Sequence, residues 1–296
     1  MQITGPERSH TASLVVGGIV LVGLLAATST TRAAWDEIAG FLTLQGKPEP
    51  ASANVLSEHE SEKLNEMSPQ SQAELLLERS INHYAGANDQ IAARVGRWRG
   101  KITLTARLNN LFVTAINSDD MRVRVAGVEV DIAARDLQKS VATLERLEPV
   151  ARAGEQGPRA NALWDLGLIG NRGVEPARVA QILLASIRDT NENVRYWAVE
   201  GLAFLGTDEA IEPLLDVFRD DPSPKIRERA ACSLAQSGML SKPQRMRAVP
   251  RLLDYAADFN MEPQTRGWVF QALRDITGQS LPQDPSAWRR WYESQR

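Results

Sequence analysis

DTNENVRYWAVEGLAFLG, residues 189–206, sets Asp189 and Arg195 six positions apart ahead of an apolar run. Counting from Arg195, Ala198 falls at +3, Leu202 at +7, Leu205 at +10 and Gly206 at +11. The same four offsets from Arg159 give Ala162, Leu166, Ile169 and Gly170, and from Arg227 they give Ala230, Leu234, Ser237 and Gly238. From Arg266 they give Val269, Leu273, Ile276 and Thr277, with Gly278 one step late. A weaker copy from Val123 gives Ala126, Val130, Ala133 and Ala134. The starting points are separated by 36, 36, 32 and 39 residues, so the chain is built on an internal repeat.

Offsets of 3, 7 and 10 lie on one face of a helix, with a small residue at the first packing position. A glycine just past the last apolar residue is a helix stop signal, because it accepts a left-handed conformation at little cost. Between these helices lie VEPARVAQILLASIRD (174–189), DEAIEPLLDVFRDD (208–221) and KPQRMRAVPRLLDYAADF (242–259), whose apolar residues also recur at helical spacing. Each unit therefore reads as helix, short turn, helix, with no convincing β pattern between them. A short helix pair cannot bury both apolar faces by itself, whereas stacked pairs can. The expectation is an all-α chain: an α-solenoid of stacked antiparallel helix pairs, five of them between residues 101 and 278, with a less regular leading pair over 70–99. DPSAWRRWYESQR (284–296) reads as a short capping helix whose Trp288, Trp291 and Tyr292 close the open end.

IEPLLDVFRDDPSPKIRERAACSLAQSG, from Ile211 to Gly238, is the clearest copy. It resembles a HEAT repeat: Pro213, Asp221 and Arg227 fall where that family has a proline in the first helix, a turn aspartate and an arginine opening the second helix. The resemblance is strong over 157–278 and weaker over 101–153. The closing ALRDITGQSLPQDPSAWRRWYE (272–293) is similar to the end of bacterial HEAT-repeat proteins of uncharacterised role. It implies that Asp189, Arg195, Asp221 and Arg227 form a structural ladder of hydrogen bonds along the stack. Two departures weaken that ladder: Asn260 stands in place of the aspartate before Arg266, and Ala153 in place of the one before Arg159. A physical argument points the same way, since a turn carboxylate accepts from unpaired backbone donors and an arginine fork can bridge to the next unit. An active site occurs once, whereas this Asp/Arg device recurs.

No other pattern points to chemistry. The formal charge of −3 gives no field suited to nucleic acid, so no nucleic-acid partner is expected. His10, His59 and His83 have no partners at ligand spacing, so neither a metal site nor a histidine triad is expected. No phosphate loop appears, and the glycines of GNRGVEP (170–176) read as the end of one helix before Pro176 starts the next. Asp165, Glu200 and Asp216 read as dispersed, solvated carboxylates. Cys232, the single cysteine, excludes an internal disulfide and reads as a small packing residue. No cofactor is called for.

The N-terminal stretch is a different matter. LVVGGIVLVGLLAA, residues 14–27, lies in a segment without charge between Arg8 and Arg32. With its flanking small residues it is long enough for one membrane span, so residues 1–33 read as an uncleaved anchor; a cleaved signal peptide is the alternative, and small residues at Ala27, Ser29, Thr31 and Ala33 would permit cleavage. Either reading puts the remainder in the cell envelope, outside the cytoplasm. Residues 34–69, rich in Glu, Ser and Pro, read as a flexible spacer, and 70–296 as the solenoid.

Aromatic residues are the lead toward a partner. Trp164, Tyr196, Trp197, Phe204 and Trp268 sit on second helices, with Trp197 and Trp268 at +2 and Trp164 at +5, off the 3/7/10 stripe. In HEAT-like solenoids the second helices line the concave face, which implies an aromatic band that holds a protein segment; the alternative is that these rings fill seams between repeats. The functional expectation is a non-catalytic scaffold or adaptor for unknown protein partners, tethered to the membrane or exported. A regulatory subunit of an envelope complex is indistinguishable from it by sequence. The competing class is an enzyme resembling phycobilin lyases, whose short HEAT-like repeats bind a tetrapyrrole; visible absorbance after incubation with bilin would favour it.

Overall fold

A computed structural model describes residues 54–295. The apolar segment 14–27, with its anchor or signal reading, lies outside the described residues. No described helix is long and apolar enough to cross a membrane.

Helices follow one another without a strand among the described residues; one isolated parallel bridge joins Val55 and Ala85. They are α1 (Glu58–Leu64), α2 (Pro69–Ile81), α3 (Ala87–Trp98), α4 (Ala106–Ile116), α5 (Met121–Ala134), α6 (Val141–Ala153), α7 (Gln156–Asn171), α8 (Pro176–Ser186), α9 (Glu192–Leu205), α10 (Ile211–Asp220), α11 (Pro224–Ala235), α12 (Lys242–Met246), α13 (Val249–Ala257), α14 (Pro263–Thr277) and α15 (Pro285–Glu293). The pairs α4/α5, α6/α7, α8/α9, α10/α11 and α13/α14 occupy the five expected stretches, the last four stack as expected, and the described residues form an all-α solenoid. Local chemistry starts many of these helices. Ser68, Thr105, Asp120, Ser140, Asn191 and Asp284 cap through their side chains, and proline stands in the first turn of α2, α8, α11, α13, α14 and α15.

Glycine marks helix ends less uniformly than its spacing suggested. Gly206 is a stop, at φ 66°, just past Leu205. Gly170 is not: α7 runs on to Asn171, and Gly170 is buried where a Cβ would come within 2.8 Å of Leu205 and 2.9 Å of Val179. Its lack of a side chain serves packing. The same is true of Gly167 and Gly201, where α7 and α9 touch backbone to backbone. A Cβ at Gly167 would lie 2.5 Å from the Gly201 carbonyl oxygen, and one at Gly201 would lie 2.7 Å from the Leu163 oxygen.

The spacer expected over 34–69 is helical from Glu58. Ser57 and Glu60 form a reciprocal capping box for α1, and Leu56 and Leu64 are buried in a core with Leu76, Leu77, Ile91, Val95 and Trp98. A short polar sequence with apolar residues at its two ends is fixed by those anchors. At the other end Trp288 of α15 is fully buried, and its Nε1 donates to the Pro282 carbonyl at 2.9 Å.

Helix α5 departs from the regular stack. All eleven residues from Val123 to Ala133 are buried. Its repeat stripe, Val123, Ala126, Val130 and Ala133, packs into the N-terminal core with α2 and α3. The opposite stripe, Arg124, Val128, Asp131 and Arg135, follows helical spacing of 4, 3 and 4 and meets the later repeats. Asp131 Oδ2 accepts from Trp164 Nε1 of α7 at 3.1 Å, and Arg124 Nη1 donates to the carbonyl of Gly238, beyond α11, at 2.7 Å. Between them Glu129 accepts from Arg172, just past α7, at 2.6 Å and from Lys139 at 3.0 Å. The helix therefore lies across the second helices rather than beside α7 as one more of them.

Candidate functional site

The turn residues come first, because they looked most like chemistry. Arg195 forks onto Asp221 with bonds of 2.8 and 3.1 Å, while its Nη1 donates to the carbonyls of Asp189 at 2.9 Å and Thr190 at 3.3 Å. One position earlier in the stack Arg159 donates to Asp189 at 2.7 Å and to the Ala151 carbonyl at 3.1 Å. Each aspartate also accepts from the backbone two residues on: Asn191 N–H to Asp189 and Ser223 N–H to Asp221, both 2.8 Å. Burial pulls the Asp189 carboxyl upward, but bonds from Asn191 and Arg159 hold it below the ordinary carboxylate range. Both carboxylates and both guanidinium groups are thus engaged by the frame. An arginine thus links its own turn to the aspartate of the next repeat, which is a stitch between repeats.

The two sequence departures have different outcomes. Without an aspartate at 153, Arg159 still binds a carbonyl of its own turn and starts the ladder. At the far end Arg227 binds the Asp221 carbonyl at 2.8 Å but then meets Thr265 Oγ1 at 3.1 Å and the carboxylate of Glu262. Asp258 caps the Asn260 N–H instead, at 2.9 Å. The last rung is therefore rebuilt on an exposed glutamate.

Residues at +2 and +5 from the aligned arginines form a row along the second helices: Trp164 on α7, Trp197 and Glu200 on α9, Arg229 and Cys232 on α11, Trp268 on α14. Trp164 packs against Phe204 at 4.5 Å between ring centroids and edge-on to Trp197 at 5.8 Å, and Trp197 meets Tyr196 at 5.6 Å. Four of the five expected aromatic residues are thus one cluster, and Trp268 is not part of it. The cluster is graded. Trp164 and Phe204 are buried, while Tyr196, Trp197 and Trp268 are half-buried. Phe112 of α4 covers the buried end edge-on to Trp164 at 6.3 Å. At the open end the Lys225 ammonium sits 4.9 Å from the Tyr196 ring centre, a cation–π contact.

Charges line the same row, and here the reading of dispersed, solvated carboxylates is corrected for two of three. Asp216 is exposed, 3.1 Å from Arg251. Glu200 is buried; its pKa is pushed up by burial, and it accepts from Arg229 at 2.9 Å. Asp165 is raised to about 6, chiefly by burial and further by the neighbouring Asp131, against the pull of Arg135 and Arg146. Asp131 is pushed up by burial as well, and its Oδ1 has no hydrogen-bond partner. Arg135 serves both aspartates, at 2.9 Å to Asp131 and 3.4 Å to Asp165. Sequence reasoning missed Asp131 and Arg135, because their partner Trp164 is about thirty residues away and the local pattern is that of an ordinary helix. Cys232 is half-buried on α11.

No cluster of three or more His, Cys, Asp or Glu suited to a metal occurs among the described residues. What the arrangement offers is a face: aromatic rings graded from covered to open, flanked by one cation and paired carboxylates. Residues 144–235 match the family model for HEAT repeats. No curated protein matches the chain.

Proposed function

The chain is a HEAT-repeat protein, and from that premise we propose that it is a non-catalytic scaffold binding a protein segment through the open end of the aromatic row. The N-terminal apolar segment would tether it to the membrane, or export it, so that the solenoid works in the cell envelope. The observation that carries the binding reading is the half-buried pair Tyr196 and Trp197 with the exposed Lys225 over the Tyr196 ring, next to a Trp164–Phe204 pair that is buried. Such large, rigid rings beside a cation supply contact area at low entropic cost.

The test is crosslinked capture from intact-cell envelopes with the wild-type chain and with a Trp197→Ala/Trp268→Ala variant. A protein partner held by the wild type and lost by the variant, at unchanged melting temperature, is the expected result. A melting temperature that collapses makes these rings structural, and capture that the variant retains moves the binding face elsewhere.

A further inference from the structure

Helix α5 is a strange lid for a solenoid, because the face it turns to the repeats mixes Val128 with three buried charged side chains. Arg124, Glu129 and Asp131 are all buried, at 7, 3 and 0 % exposure, and each reaches a different point of the stack. Arg124 holds the Gly238 carbonyl, Glu129 holds Arg172, and Asp131 holds the Trp164 indole. Its apolar stripe is committed to residues 54–134, which have a core of their own. Burying polar groups is tolerable only when every one is matched, and Asp131 Oδ1 is not. The link from α5 to α6 turns at Asp136, a non-glycine residue at φ 54°. One sub-core, docked by side chains and joined at a strained turn, is a unit that can open without unfolding.

We propose that residues 54–134 are a detachable cap that covers the buried end of the aromatic row and is latched by Asp131, Trp164 and the shared Arg135, with the latch weakening as Asp131 and Asp165 both ionise. This rests on the reading of the row as a binding face, whose regulation it supplies. Opening uncovers Trp164, and so extends the open patch at Tyr196 and Trp197 into one continuous aromatic surface. The groups facing Asp131 are Arg135 on its own helix and Trp164 and Asp165 on α7; Arg146 on α6 acts on Asp165. One guanidinium shared by two carboxylates cannot neutralise both in a buried site, so a proton held by the pair favours closure. Glu129, held by both Lys139 and Arg172, is the second ionic contact of the dock.

Thiol labelling of the full chain tests this without any partner. In a Cys232→Ser background, Val128→Cys places a thiol on the docked stripe, and Val199→Cys places one in the repeat core; both valines are fully buried. With rates corrected for thiolate fraction, the expected result is that Val128→Cys labels about tenfold or more faster than Val199→Cys near pH 8 and loses that excess near pH 5. Adding Asp165→Asn suppresses the excess at both pH values. Ile132→Cys, also on the inward side, is the second position if Val128→Cys does not fold. Equal labelling at the cap and repeat-core positions near pH 8 overturns the proposal, because the chain then opens only as a whole. An excess that is independent of pH overturns the latch. Capture by Trp197 and Trp268 fails or succeeds independently of either result.

Discussion

In α9 the stripe Ala198, Leu202 and Leu205 is buried within the stack, and the rest of the helix is fixed by its neighbours on both sides. Arg195 binds Asp221 ahead of it, and Gly201 lies against Leu183 and the Leu163 carbonyl behind it. In α5 the equivalent stripe, Val123, Ala126, Val130 and Ala133, turns away from the repeats into the N-terminal core. The offsets are the same and the burial is as complete, yet one helix is a rung of the solenoid and the other crosses it. What differs lies off the stripe. α9 has a glycine where the backbone of the preceding repeat approaches and an arginine where the next turn waits, whereas α5 carries Glu129, Asp131 and Arg124, which reach partners far along the chain. An apolar stripe makes a helix bury one face; the residues beside it decide against what.

The sharpest way to break the regular side of this comparison is at its stitch. Arg195→Ala strands the buried Asp221 carboxylate and two carbonyls, with an expected loss of about 3–5 kcal/mol in denaturant unfolding. Arg227→Ala, whose carboxylate partner Glu262 is half-exposed, is expected to lose only about 1–2 kcal/mol. Equal losses would mean that the rungs contribute through local turn bonds and not through the link between repeats.

Close backbone approach gives the next effect. Gly201→Ala places a methyl group 2.6 Å from Leu183 and 2.7 Å from the Leu163 oxygen, and is expected to cost about 3 kcal/mol as α7 and α9 are pushed apart. Gly267→Ala, in α14, meets nothing within 4 Å and is expected to gain about 0.5–1 kcal/mol from helix propensity. Melting temperatures of the two variants should move in opposite directions.

These residues also mark how far the sequence was legible. The solenoid, its regular helix pairs and the structural meaning of Asp189/Arg195 follow from recurrence, because each copy is a separate measurement of one local pattern. The crossing of α5 does not recur. Its contacts join residues 33 to 114 positions apart, and nothing in MRVRVAGVEVDIAA separates a wedge from a weak repeat. The covered end of the aromatic row was hidden for the same reason: Trp164 is an ordinary second-helix residue until Phe112 of α4 and Asp131 of α5 fold back onto it. Asp165 and Glu200 were read as solvated since burial from a distant segment leaves no local trace.

Asp165 offers the mildest and most specific probe of the crossing. Its pKa of about 6 stands above the ordinary carboxylate value of 3.8, so the folded chain holds this proton more tightly than the unfolded chain does. Between those two values the native state binds more protons, and stability falls as pH rises through about 4 to 6, levelling off once both states are ionised. The shift corresponds to up to about 3 kcal/mol of destabilisation at neutral pH, with about 1–2 kcal/mol expected for a side chain that keeps some solvent. Asp165→Asn removes the titration while keeping the shape. It should therefore exceed the wild type in stability near pH 8 by about 1–2 kcal/mol and match it near pH 4, where the aspartate is already protonated. Unfolding curves of the two chains at several pH values read the gap directly. A gap constant with pH would mean that Asp165 is solvated, like an ordinary helix-surface aspartate, and that the contact between α5 and α7 carries no buried charge.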